Sequence, residues 1–307
     1  MTHDLADILV GFFYIIVCLH ILILNLIVLY IIYRSKEMSS SAYRIMFQLG
    51  ITGSLQVFFH AIGGFFSLAN SSINPYFQMI CGGILNAAWI AGIPFTLLLA
   101  LNRILVICFT SRVGFWFSKR NTSLLIIVFW IYPVLFLIVY VTPFCSIRYN
   151  PQQFSWGYDD GPWSYVLSEA EFYSIIAMLV ITAFCYILII IRLVLLRKKA
   201  SHVSHSRHET SVLIQAIFIF GFNLLCLIAW HTYSYFLSDS RWTLFVVNTL
   251  WILNGAVNPV LYLTINGSIR KPFLAIVMCK KPITPVIPKT TSSVFVIVAG
   301  RARLLSH

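Results

Sequence analysis

The sequence predicts an all-α membrane protein: a bundle of seven transmembrane helices with the amino terminus outside and the carboxyl terminus in the cytoplasm. Three observations predict it. About 60% of the 307 residues are hydrophobic and only 10% are charged, well below the roughly 25% charged residues of an average soluble domain. Apolar stretches long enough to cross a hydrocarbon core, about 20 residues each, recur near 8–33, 44–68, 80–109, 122–143, 168–196, 211–237 and 243–265. Basic residues also gather in alternate connections: Arg34, Lys36 and Arg44; Arg112, Lys119 and Arg120; Arg197, Lys198, Lys199 and Arg207; Arg270, Lys271, Lys280 and Lys281.

Each span reads as a helix. The runs are uniformly apolar instead of alternating, and lipid requires every backbone donor and acceptor to be satisfied within its own segment. Only Arg148 and Arg241 fall in the opposite connections, which sets the orientation by the positive-inside rule. Acidic residues sort the other way. Asp4, Asp7, Asp159, Asp160, Glu169, Glu171 and Asp239 are assigned outside, with only Glu37 and Glu209 inside.

The net charge of +12 therefore describes one face and makes no case for nucleic acid as a partner. A basic inner rim suits an anionic inner leaflet and a cytoplasmic partner. Residues 1–6 lack a basic n-region and the apolar run that follows is too long for a cleavable leader, so the first span is expected to act as its own insertion signal. No internal repeat is visible and the span count is odd, which disfavours a transporter built from paired halves. Residues 1–280 form the seven-span domain. Residues 281–307 form a cytoplasmic tail whose "VFVIVA" run is too short to span.

No Asp, Glu or Lys is expected inside the bundle, Glu169 and Glu171 being assigned to its outer margin. That argues against a proton relay or ion-coupled carrier. An intramembrane hydrolase would need a carboxylate pair, a metal motif or an activated nucleophile, so no enzyme, no cofactor and no metal is expected. His20, His60 and His231 read as neutral, hydrogen-bonded histidines within the bundle, with His231 singled out beside Trp230. The triplet His202, His205 and His208 reads as a solvated basic loop before it reads as a metal-binding face.

Cys81 and Cys145 both fall on the outer side, an oxidising compartment, and are expected to pair across the mouth of the bundle. Two buried free thiols are the alternative. Cys18, Cys108, Cys185 and Cys226 are expected to pack, and Cys279, behind a basic stretch, is a candidate for palmitoylation. Of three N-x-[ST] sites, at Asn70, Asn121 and Asn266, the topology leaves only Asn70 on the side where glycans are added.

The last span carries Asn258, Pro259 and Tyr262 as N-P-x-x-Y. Proline frees a backbone carbonyl and bends the helix, and asparagine can bond that carbonyl or a neighbouring helix, which suits a switch. Together with other positions this resembles a rhodopsin-like, G-protein-coupled receptor. Asn25 in "ILNLIVLY" resembles the first-helix asparagine, Arg103 in "LALNRILVI" the arginine ending the third helix, and Trp130 with Pro133 the fourth-helix pair. Tyr186 is similar to the fifth-helix tyrosine. "SIRKPF" resembles the start of a short amphipathic eighth helix with Phe273 toward the bilayer. More narrowly, "SAYRIMFQLGI" and "LLLALNRILVI" are similar to nematode serpentine chemoreceptors of class T or class X.

The sequence departs from the rhodopsin-like pattern. Asn102 stands where an acid usually precedes the arginine, the neighbourhood of Gly53 lacks the second-helix aspartate, and span five has no proline. The resemblance implies a switch built on Asn102, Arg103, Tyr186, Asn258, Pro259 and Tyr262. It also implies a ligand pocket near Leu85, Asn86, Trp89, Trp230, His231 and Tyr233, suited to a neutral ligand because no aspartate faces it. The implied partners are an external small molecule, a heterotrimeric G protein and the bilayer; the implied location is the plasma membrane, of sensory cilia in neurons. The other function classes are a ligand-gated channel subunit and a non-signalling structural or trafficking protein.

Overall fold

The computed structural model describes residues 4–71, 74–199, 204–238 and 240–278, with the side chains of 196–213 left out. The helices are α1 (Leu5–Arg34), α2 (Ser41–Ala69), α3 (Pro75–Cys108), α4 (Thr110–Trp116), α5 (Lys119–Tyr140), α6 (Ser164–Lys199), α7 (Ser204–Phe236), α8 (Arg241–Ile265) and α9 (Gly267–Val277). Among them α1, α2, α3, α5, α6, α7 and α8 are long and apolar enough to cross a membrane. Asp4, Ser40, Asn74, Ser118 and Ser240 cap helix starts by accepting bonds from orphan backbone N–H groups, as short polar side chains do.

The faces of α1 explain the bundle. Leu9, Phe12, Ile16, Leu19, Ile23, Leu26 and Tyr30 form one exposed apolar stripe, while Tyr14, Cys18, Ile21, Asn25 and Val28 are buried. A helix apolar on both faces is at home only where its outer side meets lipid. α3 is the central element, buried along most of its length. Beyond Asn25 the three helices α1, α2 and α8 almost touch: Asn25 donates to the Gly255 carbonyl at 2.9 Å. A Cβ on Gly53 would stand 3.3 Å from that same oxygen, and one on Gly255 would stand 2.5 Å from Val57. Backbone fills the place where the pattern would put an acid.

One element was not expected. The connection from α5 to α6 contains an antiparallel hairpin, β1 (Ile147–Asn150) and β2 (Ser155–Tyr158), in register from Ile147 opposite Tyr158 to Asn150 opposite Ser155. It is seated inside the end of the bundle. Ile147, Tyr149, Phe154 and Trp156 are all buried, and β1 crosses α3 so closely that a Cβ on Gly82 would lie 2.1 Å from the Ile147 carbonyl oxygen.

The helix α9 follows the last span and carries Phe273. That side chain packs, half-buried, against the cluster of Val28, Ile32, Tyr43, Met46, Tyr262 and Ile269. Asn266 caps α9 and also donates to the Tyr43 hydroxyl at 3.1 Å.

Candidate functional site

The hairpin roofs a small cavity that is partly open at its mouth. α3 contributes Asn86 and Trp89, α7 contributes Cys226, Leu227, Trp230 and His231, α8 contributes Val247 and Trp251, α6 contributes Glu171, and the hairpin adds Ile147, Trp156, Gly157 and Tyr158. Trp251 meets His60, Trp89 and Trp230 edge-on at 4.8, 6.2 and 5.3 Å. His231 stands 4.3 Å from the Phe172 ring.

Four of the six expected pocket residues line this cavity: Asn86, Trp89, Trp230 and His231. Leu85 and Tyr233 do not. Successive residues on a helix point about 100° apart, so Leu85 turns from Asn86 into the core, where it is fully buried. Tyr233 stands two residues past His231, on the other side of α7.

Glu171 is the main correction. It is buried within the bundle, 6% exposed, not placed at the outer margin. Its Oε2 accepts from Asn86 Nδ2 at 2.8 Å, from the Tyr140 hydroxyl at 3.0 Å and from the Tyr158 hydroxyl. Tyr140 and Tyr158 also share a 2.8 Å bond. The carboxyl thus joins α3, α5, α6 and the hairpin.

A second carboxylate fixes the loop. Asp159 accepts from the Ser146 backbone and hydroxyl at 3.0 and 2.5 Å and from Ser164 at 2.7 Å, and pairs with Arg148 at 3.5 Å. Partial burial alone would push this carboxyl up, but the bonds from Ser146, Ser164 and Gly161 outweigh it and hold it below the ordinary 3.8. On the opposite flank Arg241 pairs with Asp4 at 2.5 Å and Asp7 at 3.7 Å, over the Phe154 ring. Its hydrogen bond lowers the Asp4 carboxyl as well.

Cys81 and Cys145 are both buried free thiols. No bond joins them in this structure. Seating of the hairpin does not depend on one: Gln78 donates to the Tyr149 carbonyl at 2.5 Å, Ser67 bonds the Tyr149 hydroxyl at 2.6 Å, and Tyr14 donates to the Phe154 carbonyl at 2.8 Å. Burial pushes the Cys145 thiol up to about 11, so it stays protonated and unreactive.

The histidines divide. His20 is exposed and bonds the Ile16 carbonyl at 2.7 Å. His60 is 1% exposed with neither ring nitrogen bonded, which departs from the expected hydrogen-bonded histidine. The side chains of His202, His205 and His208 and the whole of Cys279 lie outside the described residues. Among the described residues no three His, Cys, Asp or Glu side chains gather as metal ligands. Asn70 ends α2 in a left-handed conformation, φ 44°.

At the other end of the bundle lies the expected switch set. Asn102 is buried and donates to the Ser41 hydroxyl at 2.8 Å, so the position before the arginine ties α3 to the start of α2 and supplies no charge. Arg103, half-buried, is within electrostatic reach of both Tyr186 and Tyr262. The hydroxyls of Tyr186 and Tyr262 and the Asn258 Oδ1 are buried without a hydrogen-bond partner. Pro259 is buried inside α8. Trp130 donates to Gln48 at 2.9 Å, and Arg44 reaches the Lys119 carbonyl at 2.7 Å, so α2 and α5 are joined at this end too.

Seven membrane-capable helices define a serpentine membrane protein. The family model described as "Serpentine type 7TM GPCR chemoreceptor Srt" matches residues 2–285. The chain belongs to that family, a family of chemoreceptors and not of enzymes, and is a multi-pass membrane protein. Of class T and class X, the match falls on Srt. No curated protein matches the chain.

Proposed function

We propose that this chain is a chemosensory receptor that binds an external small molecule in the cavity beneath the hairpin and opens the Arg103 end to a heterotrimeric G protein. The observation that carries the reading is the pairing of a tryptophan-rich cavity at one end with buried, hydrogen-bond-starved switch residues at the other. A ligand shifts such a bundle only by binding one arrangement better than the other. The unsatisfied Tyr186, Tyr262 and Asn258 oxygens supply a reason for a second arrangement, since unmade buried bonds cost about 1–3 kcal/mol each.

In this reading the hairpin end and the amino terminus face outward and α9 lies on the cytoplasmic side, along the inner leaflet. The receptor works at the plasma membrane, in the cilia of sensory neurons. An amino-terminal epitope should then be accessible on intact cells, and a glycan at Asn70 should be removable by glycosidase. Trp230→Ala and His231→Ala should weaken a cue-evoked response at unchanged surface expression. A response indifferent to both substitutions would remove the cavity from the account.

A further inference from the structure

We infer that the cavity takes a small organic cation, an ammonium centre with apolar substituents and a hydrogen-bond acceptor, with Glu171 as its counter-charge. The inference rests on the ligand-binding reading above and names the ligand's chemistry.

Four tryptophans, Trp89, Trp156, Trp230 and Trp251, line the cavity together with the carboxyl of Glu171. Aromatic faces around a carboxylate are the chemistry that holds ammonium groups, because ring quadrupoles attract a cation without demanding its full hydration. Among the described residues Glu171 forms no ion pair with a basic side chain. The ion pairs among the described residues join Arg148 to Asp159 and Arg241 to Asp4 and Asp7, so both basic residues of this end are engaged elsewhere.

Asn86, Tyr140 and Tyr158 donate to Glu171 Oε2, and the Trp89 side chain also reaches the carboxyl; all of these donors are neutral. A buried carboxyl supported by neutral donors and no cation is costly, and an incoming cation offsets that cost. The acceptor requirement comes from the indole N–H of Trp251, which is buried without a partner, whereas that of Trp156 lies against Gly63 of α2. A purely apolar guest would leave the Trp251 donor bare, and an anion would meet Glu171.

The test is a binding titration of the full chain in lipid nanodiscs, by calorimetry and tryptophan fluorescence. The probes are choline and 3,3-dimethylbutan-1-ol, which share shape and hydroxyl and differ in charge. Wild type should bind choline saturably and roughly tenfold or more tighter than the neutral isostere. Glu171→Gln, which keeps the volume and an acceptor, should erase that preference, and Glu171→Asp should retain it. Equal binding of the two probes by wild type, or a preference that survives in Glu171→Gln, overturns the inference and leaves the cavity as a site for a neutral ligand. Binding of neither probe overturns both the inference and the cavity reading. The wild-type ratio alone decides the matter should either variant fail to fold.

Discussion

The two ends of the bundle differ in whether a carboxyl organises their buried polar groups. At the hairpin end Glu171 gathers Asn86, Tyr140 and Tyr158, and Asp159 gathers Ser146, Ser164 and Arg148, although His60, Asn248, Trp156 and Trp251 keep buried polar atoms without partners nearby. At the Arg103 end Tyr186, Tyr262 and Asn258 keep buried oxygens without partners. A satisfied network rigidifies one arrangement, and a half-satisfied one keeps another within reach. In the proposed switching, that difference marks the end expected to hold its shape and the end expected to change it.

The largest effect should come from breaking the rigid end at its tightest point. Gly82→Ala places a Cβ against the Ile147 carbonyl with only backbone on either side. It should cost about 3 kcal/mol or more and appear as lost surface expression or a much lowered Tm. Tyr158→Phe should come next. It removes one bond to a buried carboxyl and strands none of the backbone, so a loss of about 1.5–3 kcal/mol is expected, read by thermal unfolding in nanodiscs.

The same substitution at the other end should behave differently. Tyr186→Phe and Tyr262→Phe each delete a hydroxyl that bonds nothing in this arrangement, so stability should stay level or rise by up to about 1 kcal/mol while G-protein activation falls. A stability loss there equal to that of Tyr158→Phe would erase the contrast between the ends.

The smallest effect is a pH dependence. Asp159 is held below the ordinary 3.8 in the folded state, so it contributes stability that is fully present above that value and is lost as pH falls through the folded one. The Tm gap between wild type and Asp159→Asn should therefore be constant from neutral pH down to about 5 and close on acidification below 4. A gap that persists at low pH would mean that the Asp159 charge does not matter.

Much of this was legible in the sequence, and particular residues show why the rest was not. Seven apolar runs can be counted because crossing a membrane fixes their length, and Asn25, Arg103 and the N-P-x-x-Y triplet sit at recognisable places on those runs. Glu171 was misplaced because it follows Glu169 near the head of a span. The helix in fact begins at Ser164, which carries Glu171 two turns inward. A signal existed: Glu171, Ile175, Leu179, Thr182, Tyr186 and Ile189 are all buried, in steps of three and four that mark one inward face.

The hairpin was hidden for a different reason. "SIRYNPQQFSWGY" is polar enough to read as an open loop, and only the bundle offers its Tyr149, Phe154 and Trp156 a place to be buried. Whether the acidic position before Arg103 is missed or replaced was equally unreadable, since the partner of Asn102, Ser41, lies 61 residues away in sequence. Long-range pairings of that kind leave no local periodicity.

The central claim is that occupancy beneath the hairpin is read out at the Arg103 end, and the most direct test is G-protein activation in cells by wild type and Arg103→Ala at matched surface expression, across a panel of volatile and water-soluble cues. The account predicts a cue-evoked signal in wild type that Arg103→Ala abolishes. A signal of equal size in Arg103→Ala, or a cue-evoked current with no G-protein activation, would contradict it.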